Sequence, residues 1–188
     1  QSFADLAIHL PDKEAFHAFI AEQRRILAAE NRVTDPGMEL AVNEIPAPAK
    51  VMDSKFQTQL LRSIYACPNG IYRMSPAIKD LAQTSNNLAR VLVKAGNYTI
   101  LCLSRSSVDT EKWDVARSIQ GSFELLGAEV SFDGSYPGWT PNPDAAIIQL
   151  MSDLYREMFD AEPHVNACHA GLECGILGTN YPGMEMIS

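Results

Sequence analysis

Residues 2–10 alternate apolar and polar positions with the two-residue period of a strand. Pro11-Asp12-Lys13-Glu14 then reads as a helix start with Asp12 as N-cap. Phe16, Phe19, Ile20 and Leu27 recur at helical spacing and predict one face packed on a sheet. Asp35-Pro36-Gly37 ends this unit, Met38 to Ile45 alternates as a second strand, and Pro46-Ala47-Pro48 makes a stiff connection. Ser54 with Gln57 three residues later fits a capping box. Phe56, Leu60 and Ile64 form the stripe of that helix, and Pro68-Asn69-Gly70 stops it. Two strands, about 86–94 and 98–104, flank Ala95-Gly96-Asn97 in a hairpin signal. Asp109 is placed to cap another helix with Trp113, Ala116, Phe123 and Leu126 inward. Gly127 closes it, and Ala128 to Phe132 predicts one more strand.

With the Ser54 helix set aside as an insertion, the elements up to about residue 134 read β-α-β-β-α-β. That order predicts an α+β fold, a ferredoxin-like βαββαβ sandwich whose antiparallel sheet carries its helices on one face. The turn-rich run Gly134 to Trp139 marks a crossing into a second domain. Asn142-Pro143-Asp144 starts a helix there, with Asn142 as cap and with Ile147, Ile148, Met151, Leu154, Tyr155 and Phe159 as its apolar residues. This last third has too few elements for a core of its own. The expected organisation is therefore one domain over 1–134 and an incomplete α/β segment of a second over 135–188. Because the chain both opens and closes in strand-like runs, it is expected to be a segment of a longer protein.

Composition acts mainly by exclusion. The net charge is −8 with no Lys/Arg cluster set against it, so no nucleic-acid partner is expected. No apolar run approaches the roughly 20 residues of a membrane span, and no membrane partner is expected. Cys67, Cys102, Cys168 and Cys174 are scattered and no secretory signal is present, which predicts reduced thiols in a cytoplasmic protein.

Reactive side chains concentrate in Cys168-His169-Ala170-Gly171-Leu172-Glu173-Cys174-Gly175. On a helix His169 and Glu173 would share a face, a geometry that suits a metal. Two ligands do not make a zinc site, however, and no HExxH or paired CxxC motif supplies the others; a hydrogen-bonded His and Glu in a loop is the plainer reading. Cys168 and Cys174 flank an imidazole, but adjacency does not orient a base, and buried inert thiols account for them. Arg105 ends the apolar run Leu101-Cys102-Leu103-Ser104 and precedes Ser106-Ser107. A guanidinium there is suited to grip a carboxylate with two hydrogen bonds, although by itself a solvated arginine at a strand end is the commoner case. Asn86, in the polar run Ser85-Asn86-Asn87, serves a turn equally well. His9, His17 and His164 have no companions at ligand spacing.

The run His169 to Gly175, followed by Tyr181-Pro182-Gly183-Met184-Glu185-Met186, resembles the C-terminal region of the aminoacyl-histidine dipeptidases, zinc metallopeptidases that split Xaa-His dipeptides including carnosine. Gln83-Thr84-Ser85-Asn86-Asn87-Leu88, Leu101 to Ser107 and Tyr136-Pro137-Gly138-Trp139 match in the same order. The resemblance implies a zinc-binding catalytic domain interrupted by a lid that also makes the homodimer. Residues 1–134 correspond to the lid, and residues from about 135 to the return into the catalytic domain. It further implies that Arg105 holds the carboxylate of a dipeptide substrate and that Gly171 contacts the substrate, with His169, Glu173 and Asn86 as weaker candidates. The ligands for two zinc ions and the catalytic glutamate would lie outside this chain, which is expected to bind no zinc and to be inactive alone. Two rival expectations remain: a free-standing ferredoxin-like small-molecule-binding module, and a purely structural dimerisation module.

Overall fold

A computed structural model describes Ala4, residues 13–169 and residues 173–187. The expected first strand, the Asp12 cap and Gly171 lie outside these. The chain divides into two compact units, Gln1–Met52 and Asp53–Ser188, so the residues on both sides of position 134 share one unit.

In the first unit helix α1 (Lys13–Glu30) buries no residue fully. Asn31 stops it by turning its side-chain amide back to the Leu27 carbonyl at 2.9 Å. The segment after the turn is fastened to the helix by Arg24, whose Nε donates to the Leu40 carbonyl at 2.8 Å, and by a Lys13–Glu44 ion pair. The strand expected over Met38–Ile45 does not form; among the described residues its backbone has no ladder partner. Apolar alternation marks a half-buried edge, but only hydrogen bonding to a neighbour makes a strand.

The second unit opens with α2 (Ser54–Ala66). Its N-cap is Asp53 rather than Ser54, and the Asp53 carboxylate accepts from the Lys55 and Phe56 amides at 3.1 and 3.0 Å. Three strands follow, β1 (Gly70–Met74), β2 (Ala82–Lys94) and β3 (Asn97–Ser106), in an antiparallel sheet of order β1-β2-β3. The β2–β3 connection is the expected hairpin, tightened to two loop residues, Ala95 and Gly96, both at positive φ (54° and 79°). Such a turn matches the twist of the strands, and glycine accepts it at no steric cost. Helix α3 (Asp109–Glu124) returns across one face of the sheet. Val115, Ile119 and Phe123 of α3 meet Cys67 in the core, with Ile64, Leu88, Ile100 and Cys102 packed around them. Thus α2 belongs to the core and is not an insertion. The expected combination of an antiparallel sheet with helices is present, with α2 and α3 on this core, whereas the ferredoxin-like βαββαβ order does not emerge from the described residues. Ala128 and Val130 do pack on this core, yet the expected strand over 128–132 makes no ladder.

Polar residues knit β1, β2 and α3 together at the end of the sheet. Glu111 of α3 accepts from Thr84 Oγ1 at 2.6 Å and Gln83 Nε2 at 2.9 Å and pairs with Arg73 at 3.1 Å. Burial pushes the Glu111 carboxyl up, but these hydrogen bonds and the Arg73 charge outweigh it and hold it below the ordinary carboxylate range. Asp109 lies inside the first turn of α3 instead of capping it. Its carboxylate accepts from Lys112 Nζ and from the Gly138 amide, and so ties α3 to the following loop.

Helix α4 (Ala146–Phe159) starts later than expected. Asn142 makes a local turn by accepting from the Asp144 amide, and the orphan amides of Ala146 and Ile147 are met by the two carboxylate oxygens of Glu185, at 3.2 and 2.9 Å. A short helix, α5 (Glu173–Asn180), completes the unit. Two glycines set how these parts meet. A Cβ on Gly138 would stand 2.5 Å from the Ser107 carbonyl oxygen, and one on Gly175 would stand 2.5 Å from that of Pro137. Backbone cannot yield as a side-chain tip can, so Gly138→Ala is expected to cost about 1–3 kcal/mol in urea unfolding. By contrast Gly121→Ala, where nothing lies within 4 Å of the added methyl, should be neutral or stabilising by up to about 1 kcal/mol. Equal stability of the two variants would refute the close crossing.

Candidate functional site

The antiparallel register sets Ser85 directly across from Arg105 and Asn86 across from Ser104. Because side chains alternate between faces, Ser85 and Arg105 share the outer face of the sheet, while Asn86 and Ser104 point to the core. Asn86 is only 2% exposed, and its amide is used at both ends: it donates to the Pro68 carbonyl at 2.7 Å and accepts from Ser104 Oγ at 3.0 Å. It holds the start of β1 on the sheet and faces away from Arg105.

His169 comes to the outer face from 84 positions away. Its Nε2 lies 2.6 Å from Ser85 Oγ, in a hydrogen bond whose donor depends on the tautomer. Burial, and then the neighbouring Arg105 charge, hold the His169 imidazole below its ordinary pKa, so it is neutral at pH 7. Among the described residues no carboxylate pairs with Arg105. Arg105 and His169 border a cleft of about 440 Å³, between the sheet end, α4 and the segment before His169, with Trp139, Met151, Tyr155 and His164 among its walls. That is a size suited to a small organic ligand. A larger concavity of about 640 Å³ separates β3 from residues 127–136. It also reaches Arg105 but not His169, and the smaller cleft is therefore the candidate site.

His169 sits in a bend and Glu173 in α5, and the residues between them lie outside the described ones. Among the described residues no group of three or more His, Cys, Asp or Glu is placed to hold a metal ion. Cys174 is 3% exposed with its thiol toward the Ile187 carbonyl, as the inert-thiol reading expects, whereas Cys168 is exposed. Burial, followed by the neighbouring Cys102 thiol, pushes Cys67 up to about 12. Sequence reasoning missed the contact of Ser85 with His169. Its only sequence signal was its place in a polar run, and its role depends on a partner that only the fold supplies.

Among the described residues no helix is long and apolar enough to cross a membrane. No family model matches the chain. The cytosol non-specific dipeptidase of Escherichia coli (strain K12) is 29% identical over 188 residues, which is all of this chain and 39% of that protein. The crystal structure of aminoacylhistidine dipeptidase from Vibrio alginolyticus matches with a TM-score of 0.85 and 30% identity, over 91% of this chain and 35% of that one. The chain thus spans less than two-fifths of the length of either relative. The resemblance carried by the motifs extends along the whole chain.

The site geometry predicts how His169 titrates. Its imidazole should titrate below the ordinary histidine range by NMR, and Arg105→Gln should move the midpoint part of the way back up, leaving the larger contribution of burial. A midpoint at or above the ordinary value, or one indifferent to Arg105→Gln, would contradict this environment.

Proposed function

We infer, from a relationship to the dipeptidases that runs the whole length of the chain, that it is part of a cytoplasmic dipeptidase that cleaves Xaa-His dipeptides such as β-Ala-His. In this reading residues 1–134 supply the lid and the homodimer contacts, and residues 135–188 begin the return into the catalytic domain. The ferredoxin-like sandwich is then the arrangement of the complete lid. Residues 128–132, which already lean on the core through Ala128 and Val130, would pair with the edge of β3. The ligands for two zinc ions and the catalytic base, implied by the resemblance, would come from other parts of the subunit.

What this chain contributes to the reaction is recognition. The observation that carries the reading is Arg105: a guanidinium with no carboxylate partner among the described residues, at the mouth of a cleft, beside a neutral imidazole. A planar fork of donors matches the carboxylate of a C-terminal residue, and a site that requires that carboxylate one residue beyond the scissile bond selects dipeptides over longer chains. The apolar walls would hold the side chain while closure of the lid excludes water.

In the full-length protein, Arg105→Ala is expected to lower kcat/KM for dipeptides roughly 100-fold, with Arg105→Lys restoring only part of the loss. Unchanged dipeptide kinetics alongside an altered oligomeric state would instead assign Arg105 a structural role.

A further inference from the structure

We propose that Ser85 is a positioning residue for carboxylate recognition: through its hydrogen bond to His169 it fixes the imidazole beside Arg105 as a second polar contact for the substrate's carboxylate. The proposal rests on the carboxylate-binding reading of Arg105. Three observations carry it. Ser85 and Arg105 are directly opposed in the β2–β3 ladder, so their side chains rise together from the outer face. The 2.6 Å contact joins β2 to a segment 84 positions later and, among the described residues, it is the side-chain hydrogen bond that holds the His169 ring. Arg105 and His169 then border the same cleft.

The chemistry is complementary. With Nε2 engaged by the serine hydroxyl, the ring is held in one orientation. If Ser85 donates to Nε2, the remaining proton sits on Nδ1 and the ring keeps a donor for a ligand oxygen. The neutral ring adds direction without a second positive charge next to the guanidinium. Loss of the hydroxyl leaves Arg105 in place but frees the imidazole to rotate, so binding weakens while the chemical step is untouched.

The test uses the full-length protein. Ser85→Ala is expected to raise KM for β-Ala-His roughly tenfold, the scale of one hydrogen bond to a charged group, with kcat within about twofold of wild type. Ser85→Thr, which keeps the hydroxyl, should restore KM. Inhibition by histidine should weaken in Ser85→Ala while inhibition by histidinamide stays the same, and this comparison is independent of the fraction of folded protein. Arg105→Ala is measured in parallel. If it raises KM while Ser85→Ala does not, the positioning role falls and the carboxylate reading stands. If neither variant changes KM, the reading beneath it falls as well. A fall in kcat at constant KM in Ser85→Ala would also overturn the proposal.

Discussion

Three stretches of backbone cross at van der Waals limits: the end of β3 at Ser106–Ser107, the loop at Pro137–Gly138, and the first turn of α5 at Gly175. No side chain can stand at Gly138 or Gly175 without moving a peptide group, so the crossing admits only glycine at both. The crossing is locked by polar contacts. Ser107 donates its amide to the Gln83 carbonyl and accepts from Thr140 Oγ1, while Asp109 takes the Gly138 amide. The motifs that carry the resemblance, the YPGW run and the final glycine of the HAGLECG run, are therefore architectural. They fix where the segment carrying His169 meets the sheet.

The candidate site follows from that constraint. Arg105 projects from the last turn of the ladder before the crossing, and His169 enters from the chain just before Gly175. Only a tight junction lets an imidazole 84 positions away reach Ser85. Beneath the site, the Glu111 network keeps the sheet end rigid by giving the buried Thr84 and Gln83 charged partners. A guanidinium on such a base loses less entropy on binding than one on a free loop.

Local signals in the chain were legible where they were self-sufficient. The Leu60 and Val115 helices, the hairpin at Gly96 and the helix after Pro143 are all encoded by periodicity and turn chemistry. Long-range substitutes for local rules were not legible. The polar run Ser85-Asn86-Asn87 suited a turn equally well, but it lies within β2, where Pro68 and Ser104 satisfy the Asn86 side chain. Strand β1 was hidden by the turn signal Pro68-Asn69-Gly70 immediately before it. The α4 cap comes from Glu185, 38 to 39 positions along the chain. Conversely, the strands expected at 38–45 and 128–132 have the right alternation but, among the described residues, no neighbour to bond. Arg105 could be singled out from its strand end and small hydroxyl neighbours; that Asn86 lies one face away was legible only once the register was known.

The central claim is that Arg105 receives the C-terminal carboxylate of a dipeptide. The most direct measurement is a crystal structure of the full-length protein with a non-hydrolysable dipeptide analogue. The account predicts both carboxylate oxygens within about 3 Å of the Arg105 guanidinium nitrogens. A bound analogue whose carboxylate is held elsewhere, with Arg105 turned to solvent, would contradict it.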